Sequence, residues 1–109
     1  MMRLLLPKAV ETYFEINNGG DTSRVVDCFW TDATVIDENQ THQGVKAIEA
    51  WQRDAKQAFT YRVEPLESSN EAGQLVVKAR VVGNFPGSPA ELDHVFLLQD
   101  GRIRCLEIN

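Results

Sequence analysis

The chain has 109 residues, of which 43% are hydrophobic and 25% are charged, as is usual for a globular domain. It carries 11 basic and 16 acidic side chains, a net charge of −5. This acidic balance argues against nucleic acid and against an anionic membrane as partners, because both select a basic surface. The length predicts a single domain over residues 1–109, with a core that needs no metal or disulfide.

Several common features of other protein classes are missing from the sequence. No apolar run approaches the roughly 20 residues of a membrane span, and the first residues do not have the form of a secretion signal, so we expect a cytoplasmic protein. Cys28 and Cys105 lie in apolar segments, which is typical of free thiols in a reducing compartment. His42 and His94 have no ligand-spaced neighbours, and we expect neither a metal nor a cofactor.

The first half of the chain has helical patterns. Apolar residues at helical spacing predict a first helix that begins at Pro7 and ends at Asn18-Gly19-Gly20. Asp21 is expected to cap a second, short helix through Phe29. Residues 33–37 are rich in β-branched side chains and predict a strand, and the polar residues 38–43 predict a loop. A third helix is expected after Gly44, with an apolar stripe along one face.

The second half alternates between apolar and polar residues, which predicts strands over 61–65, 74–83, 92–98 and 103–108. Pro65 is expected to end the first of them, residues 68–73 to form a turn and Asp100-Gly101 to form a tight hairpin. Short connections between late strands predict the α+β class: a cone-shaped, curved antiparallel sheet with three helices on its concave side. The mouth of such a cone is a natural place for a cavity.

Four segments, in this order and spacing, carry a resemblance to a known fold. They are Tyr13-Phe14 ahead of Gly20-Asp21, the stretch 29–35, the stretch 44–51 and Gly101-Arg102-Ile103. From about residue 8 to residue 108 the chain resembles the nuclear transport factor 2-like superfamily, a cystatin-like fold, in its SnoaL-like branch. That superfamily contains isomerases, cyclases, dehydratases, epoxide hydrolases and dimerising adaptors, so the resemblance implies a fold and leaves the function open.

Three residues resemble the functional positions of ketosteroid isomerases. Tyr13 stands where those enzymes have the oxyanion-hole tyrosine, Asp37 where they have the general base, and Asp93 where they have a protonated aspartic acid. The resemblance implies that Asp37 removes a proton beside a carbonyl while Tyr13 and a neutral Asp93 donate hydrogen bonds to the enolate. Gln52 and Phe29 depart from the pattern, because each stands where a tyrosine that supports this network is expected.

The faces of the strands decide which side chains meet. We expect Asp93, Val95 and Leu97 to face the cavity, with His94, Phe96 and Leu98 on the outer face. In an apolar cavity the pKa of Asp93 would be raised, whereas Asp37, next to a polar loop, would keep an ordinary pKa. The full set of expected cavity-wall residues is Phe29, Val35, Trp51, Val77, Ala79, Val81, Val95, Leu97, Leu106 and Ile108.

Each of the three residues also has a purely structural explanation. Tyr13 fits a core tyrosine whose hydroxyl reaches the rim, and Asp37 fits a residue that ends a strand. Asp93 fits a cross-strand ion pair with Arg80 or Lys78.

The leading hypothesis is a protein that binds a small apolar carbonyl compound, with proton-transfer isomerisation as its catalytic form. The alternatives are a ligand-binding module without turnover and a dimeric interaction module. For dimerisation we expect the outer sheet face to form the contact, through Val76, Val82, Phe96 and Leu98.

Overall fold

The computed structural model describes residues 5–109, which form three α-helices and one six-stranded sheet. The helices are α1 (Lys8–Asn17), α2 (Val25–Cys28) and α3 (Val45–Ala58), and a short 3₁₀ turn, Thr22–Arg24, precedes α2. The strands are β1 (Phe29–Asp37), β2 (Gln40–Gln43), β3 (Tyr61–Glu71), β4 (Gln74–Gly83), β5 (Ala90–Gln99) and β6 (Arg102–Ile108). The predicted α+β class, a curved sheet with helices on its concave side, is confirmed.

The strand order is β2-β1-β6-β5-β4-β3, and every neighbouring pair is antiparallel except β1 and β6, which are parallel. The predicted hairpin at Asp100-Gly101 is confirmed, since both residues have positive φ between β5 and β6. In this mixed sheet the first strand of the chain, β1, lies next to the last strand, β6. The ends of β1 and β6 therefore meet, with Asp37 opposite Ile108.

The predicted loop over residues 38–43 is wrong in part, because Gln40–Gln43 forms β2 against β1. Glu38 and Asn39 both have positive φ, 52° and 63°, and connect the two strands as a two-residue hairpin. Hairpins of this type are usually signalled by Asn-Gly or Asp-Gly, which Glu-Asn does not match. The strand itself is polar and mostly exposed, so it lacks the alternation of apolar and polar residues that would predict a strand.

Two further element boundaries differ from the prediction. β1 begins at Phe29, so the second helix ends one residue earlier. β3 continues past Pro65 to Glu71, and its register shifts between Pro65 and Glu67. A proline is tolerated there because β3 is an edge strand, which lacks a second neighbour for that backbone position. The predicted turn over 68–73 is consequently reduced to Ala72-Gly73.

The predicted facing of β5 is wrong. His94 is 3% exposed and Phe96 is fully buried, whereas Leu97 is 38% exposed. Pairing with β4 explains the result: His94 lies opposite Val77, and Asp93 lies opposite Lys78. Residues paired across a sheet share a face, so Asp93 takes the outer face with Lys78.

Tyr13 packs α1 onto the concave side of the sheet. Its ring centroid lies 5.6 Å from that of Phe96, 6.0 Å from that of His94 and 6.1 Å from that of Phe29, each edge to face. The end of α1 is fixed by Asn18, whose side-chain Nδ2 donates to the Val63 carbonyl (2.8 Å) and whose Oδ1 accepts from the Val63 N–H (2.7 Å). These contacts hold α1 across the sheet up to its β3 edge.

Over residues 5–109, no helix is long and apolar enough to cross a membrane. The same part of the chain contains no group of three or more His, Cys, Asp or Glu side chains arranged to hold a metal ion. Cys28 is buried and Cys105 is partly buried, and both are free thiols.

We expect Phe96→Ala to lower the free energy of unfolding by about 3–5 kcal/mol, because it empties a fully buried aromatic site. Phe59→Ala is the matched control: Phe59 is 40% exposed, and its loss should cost about 1 kcal/mol or less. Urea unfolding followed by tryptophan fluorescence measures both values. Equal, small losses would contradict the inward facing of Phe96.

Candidate functional site

The helices, the concave side of the sheet and the connection between β4 and β5 line an open cavity of about 420 Å³. Most of its wall is apolar: Trp51, Ala55, Phe59, Val63, Val81, Phe85, Pro86, Leu92 and Ile108. Polar side chains complete it: Tyr13, Asn17, Asp37, Glu38, Gln52, Tyr61 and His94. None of the described lining residues is a lysine or arginine. The cavity therefore combines an apolar surface with hydrogen-bonding groups and two carboxyls.

Asp37 ends β1 at the wall of this cavity. Its Oδ2 accepts a hydrogen bond from the Trp51 indole Nε1 at 3.2 Å, and the Trp51 ring is stacked on His42 with centroids 5.6 Å apart. Partial burial raises the pKa of the Asp37 carboxyl, and the Trp51 hydrogen bond opposes that effect. The expectation of an ordinary pKa for Asp37 is thus wrong, because α3 covers the strand end with Trp51.

Tyr13 brings a phenol to the same cavity from α1. Burial raises the pKa of its hydroxyl, and the nearby Asn17 side chain opposes the shift. The Asp37 charge also raises the pKa of Tyr13 and that of Tyr61, the first residue of β3. Both phenols therefore stay protonated at neutral pH and can donate a hydrogen bond into the cavity.

His94 is a polar wall residue that the sequence analysis placed on the wrong face. Its Nδ1 lies 3.3 Å from the Leu92 carbonyl oxygen. A carbonyl can only accept a hydrogen bond, so we assign the ring proton to Nδ1. Burial lowers the pKa of His94 to about 4, which leaves the ring neutral at pH 7 with Nε2 as a hydrogen-bond acceptor.

Gln52 is buried in the cavity wall, 1% exposed, on α3. Within the described part of the chain, neither its side-chain oxygen nor its nitrogen has a hydrogen-bond partner. A buried polar group without a partner costs about 1–3 kcal/mol, and such groups are rare in folded proteins. The amide consequently leaves a donor and an acceptor unsatisfied just beneath the surface of the cavity wall.

The structure brings together two of the three residues expected to act chemically. Tyr13 and Asp37 line the cavity, as do the expected wall residues Trp51, Val81 and Ile108. Asp93 does not: it borders a depression on the outer face with Glu67, Ser68, Ser69, Glu71, Val76 and Lys78. The prediction that Asp93 meets Tyr13 in an apolar pocket is therefore wrong, because Asp93 pairs with Lys78 on the outer face of the sheet.

The remaining expected wall residues fall into two groups. Five are buried in the core and not on the cavity wall: Phe29, Val35, Val77, Ala79 and Leu106. Val95 and Leu97 are on the outer face together with Asp93, since alternate residues of a strand share a face. The alternation on β4 was predicted correctly. Alternation identifies the residues on the inner face of the sheet, but it does not tell which of them line the cavity and which are covered by other side chains.

Several wall residues were missed by the sequence analysis, and only some had a usable signal. Asn17 follows Tyr13 by four residues, so it lies on the same helical face. Tyr61 and Val63 alternate along β3 and share its inner face. Phe85 and Pro86 lie in the connection between β4 and β5, and no local pattern places such a segment at a cavity.

Comparison with known proteins identifies relatives. The sequence profile of the SnoaL-like domain matches residues 10–106. No curated protein matches the sequence. Among solved structures, a candidate polyketide cyclase from Sinorhizobium meliloti is 45% identical, with 95% of each chain covered and a TM-score of 0.89.

Two more distant structures share the fold. One is a protein with a ketosteroid isomerase-like fold from Catenulispora acidiphila, in complex with trimethylamine. It is 15% identical over 96% of this chain and 86% of that one, with a TM-score of 0.83. The other is a candidate isomerase of the SnoaL-like family from Agrobacterium tumefaciens. It is 21% identical over 92% of each chain, with a TM-score of 0.76. Both support the predicted nuclear transport factor 2-like fold.

The depressed pKa of His94 predicts a stability that falls on acidification. Between pH 6.5 and about 4 the unfolded chain binds a proton at this histidine and the folded chain does not. The resulting loss of unfolding free energy is about 3 kcal/mol, complete near pH 4. His94→Gln should lack this component when urea unfolding is compared at pH 7 and pH 4.5. An NMR titration midpoint of His94 near 6.5 would contradict the prediction.

Proposed function

We propose that this chain, which belongs to the SnoaL-like domain family, binds a small, largely apolar carbonyl compound in the cavity between its helices and sheet. One observation carries the proposal: Asp37 and Tyr13 line the same, mostly apolar cavity. A cavity of about 420 Å³ is within the usual range for small-molecule sites. The apolar wall would bury the body of the ligand, and the phenol would donate a hydrogen bond to its carbonyl oxygen.

Proton transfer is the chemistry that this pair of residues would perform. The Asp37 carboxylate would take a proton from the carbon next to the carbonyl, and the electron pair left behind would shift onto the oxygen. Tyr13 would donate a hydrogen bond to that enolate oxygen. Asp37 would then return the proton to another carbon of the conjugated system. The raised pKa of Asp37 supports this role, since a base works best with a pKa closer to the operating pH.

The comparison with the Sinorhizobium meliloti protein favours an enzyme that acts on a small organic molecule. That protein, 45% identical, is described as a candidate polyketide cyclase. The alternative is a binding module without turnover, which would need the cavity but not the charge on Asp37. The two functions differ in what the Asp37→Asn variant does.

Asp37→Asn should lower the rate of isomerisation of a β,γ-unsaturated ketone about 100-fold or more, because an amide cannot act as a base. The conjugated product is followed by its ultraviolet absorbance. Tyr13→Phe should lower the rate while leaving the base in place. Asp93→Asn is the matched control, and its rate should equal that of the wild type because Asp93 lies on the outer face.

Unchanged turnover in Asp37→Asn would remove this residue from the mechanism. A wild-type protein that binds a panel of such ketones without converting any would instead favour the binding module. Calorimetric titration of the same ketones separates binding from turnover.

We also propose a homodimer formed through the outer face of the sheet. Because the facing of β5 is opposite to the prediction, the apolar residues on this face are Val76, Val82, Val95 and Leu97, with Ile36 and Cys105 beside them. Phe96 and Leu98, expected there, are on the inner face, where Phe96 is buried and Leu98 packs against the core. A second copy packed on this patch would cover on the order of 800 Å² per partner, a standard interface.

Val95→Glu should convert this dimer to a monomer, because it places a charge in an apolar contact. The mass measured by light scattering at micromolar concentration should fall by half relative to the wild type. Glu64→Gln on the edge strand β3 is a control that should leave the mass unchanged. A wild-type mass equal to that of one chain would refute the dimer.

A further inference from the structure

We propose that the ligand of this cavity presents a hydrogen-bond donor directly beside its carbonyl, on the same side, and that the Gln52 side chain binds this pair. A neutral lactam or cyclic imide has this arrangement. The inference rests on the proposed function, since it specifies which carbonyl compounds the cavity prefers.

The unpartnered amide is the main observation. Gln52 is 1% exposed and lines the cavity, and its side-chain oxygen and nitrogen both lack a hydrogen-bond partner within residues 5–109. It does not orient Tyr13, because no hydrogen bond joins the two residues. A buried amide in a wall that could have been apolar is explained if the side chain turns toward the cavity and a ligand completes its hydrogen bonds, because neither amide atom has accessible surface in its packed position.

The chemistry of an amide defines the complementary group. A primary amide offers a carbonyl acceptor and an N–H donor next to each other. A simple ketone would accept from Nε2 and leave Oε1 without a partner. A group with N–H and C=O held on the same side would satisfy both atoms at once through two parallel hydrogen bonds.

The charged side chains of the cavity wall further restrict the chemical class of the ligand. A carboxylic acid has the same donor–acceptor pattern but is ionised at neutral pH. Asp37 and Glu38 lie in the wall, and none of the described lining residues is a lysine or arginine to offset an anion. A negatively charged ligand would be repelled, so the pair on the ligand has to be neutral.

Two ring compounds of nearly the same shape test the proposal. 3,4-Dihydro-2(1H)-quinolinone is a lactam, and 2-tetralone has a CH₂ group in place of its N–H. Titration calorimetry on the wild type should show the lactam binding about tenfold or more tightly than the ketone, because a site built for an N–H rejects the analogue that lacks it. N-methylation of the lactam should abolish the advantage.

Variants of α3 assign the effect to Gln52. Gln52→Met keeps the length of the side chain and removes the amide, so the preference for the lactam should disappear while the ketone still binds. Gln57→Met is the matched control, since Gln57 is exposed on the same helix, and it should keep the preference. Without ligand, Gln52→Met should also raise the melting temperature, because an unpartnered buried amide is removed.

The outcomes separate this inference from the proposed function. Equal binding of lactam and ketone to the wild type would overturn the role of Gln52 and leave a carbonyl-binding cavity in place. A preference that persists in Gln52→Met, or a lower melting temperature of that variant, would also overturn it. Binding of neither compound to the wild type would overturn both proposals.

Discussion

The edge-to-face packing of Tyr13 on Phe96 and His94 fixes α1 over the centre of the sheet. Contacts of this kind contribute roughly 0.5–1.5 kcal/mol each beyond the area they bury. The same side chain lines the cavity, so one residue both anchors the helix and supplies a polar group to the site. Folding and site geometry are therefore coupled, because any repacking of α1 on β5 would move the phenol relative to Asp37.

Burial is the main cause of the pKa shifts of three polar groups in the cavity wall. It raises the pKa values of Tyr13 and Asp37 and lowers that of His94, since each neutral form is favoured when water is excluded. At neutral pH the wall offers phenol donors, a neutral imidazole and an uncharged amide at Gln52. Such a wall suits a neutral molecule with polar groups at one end. Its carboxyls, uncompensated by a described cation in the wall, make an anion unsuitable.

The sequence predicted the fold class, α1, α3, the alternation of β4 and the position of Tyr13 and Asp37 on one cavity wall. On β4, Lys78 and Arg80 mark one face as polar, so alternation identifies the inner face. On β5 the two faces differ less: Leu92, Phe96 and Leu98 lie on one face with His94, and Val95 and Leu97 lie on the other with Asp93, so alternation separates the faces only weakly. The choice depends on pairing with β4, where Lys78 lies opposite Asp93. The missing partners of Gln52 likewise depend on distant packing, which no local pattern contains.

The central claim, that a carbonyl ligand occupies the cavity beside Asp37, is tested most directly by the two tryptophan indole N–H signals in an NMR titration with 2-tetralone. Trp51 donates to Asp37 in the cavity wall, whereas Trp30 donates to the Gln99 carbonyl and does not line the cavity. The account predicts a saturable shift of the Trp51 signal and a constant Trp30 signal. No shift, or equal shifts of both signals, would contradict it.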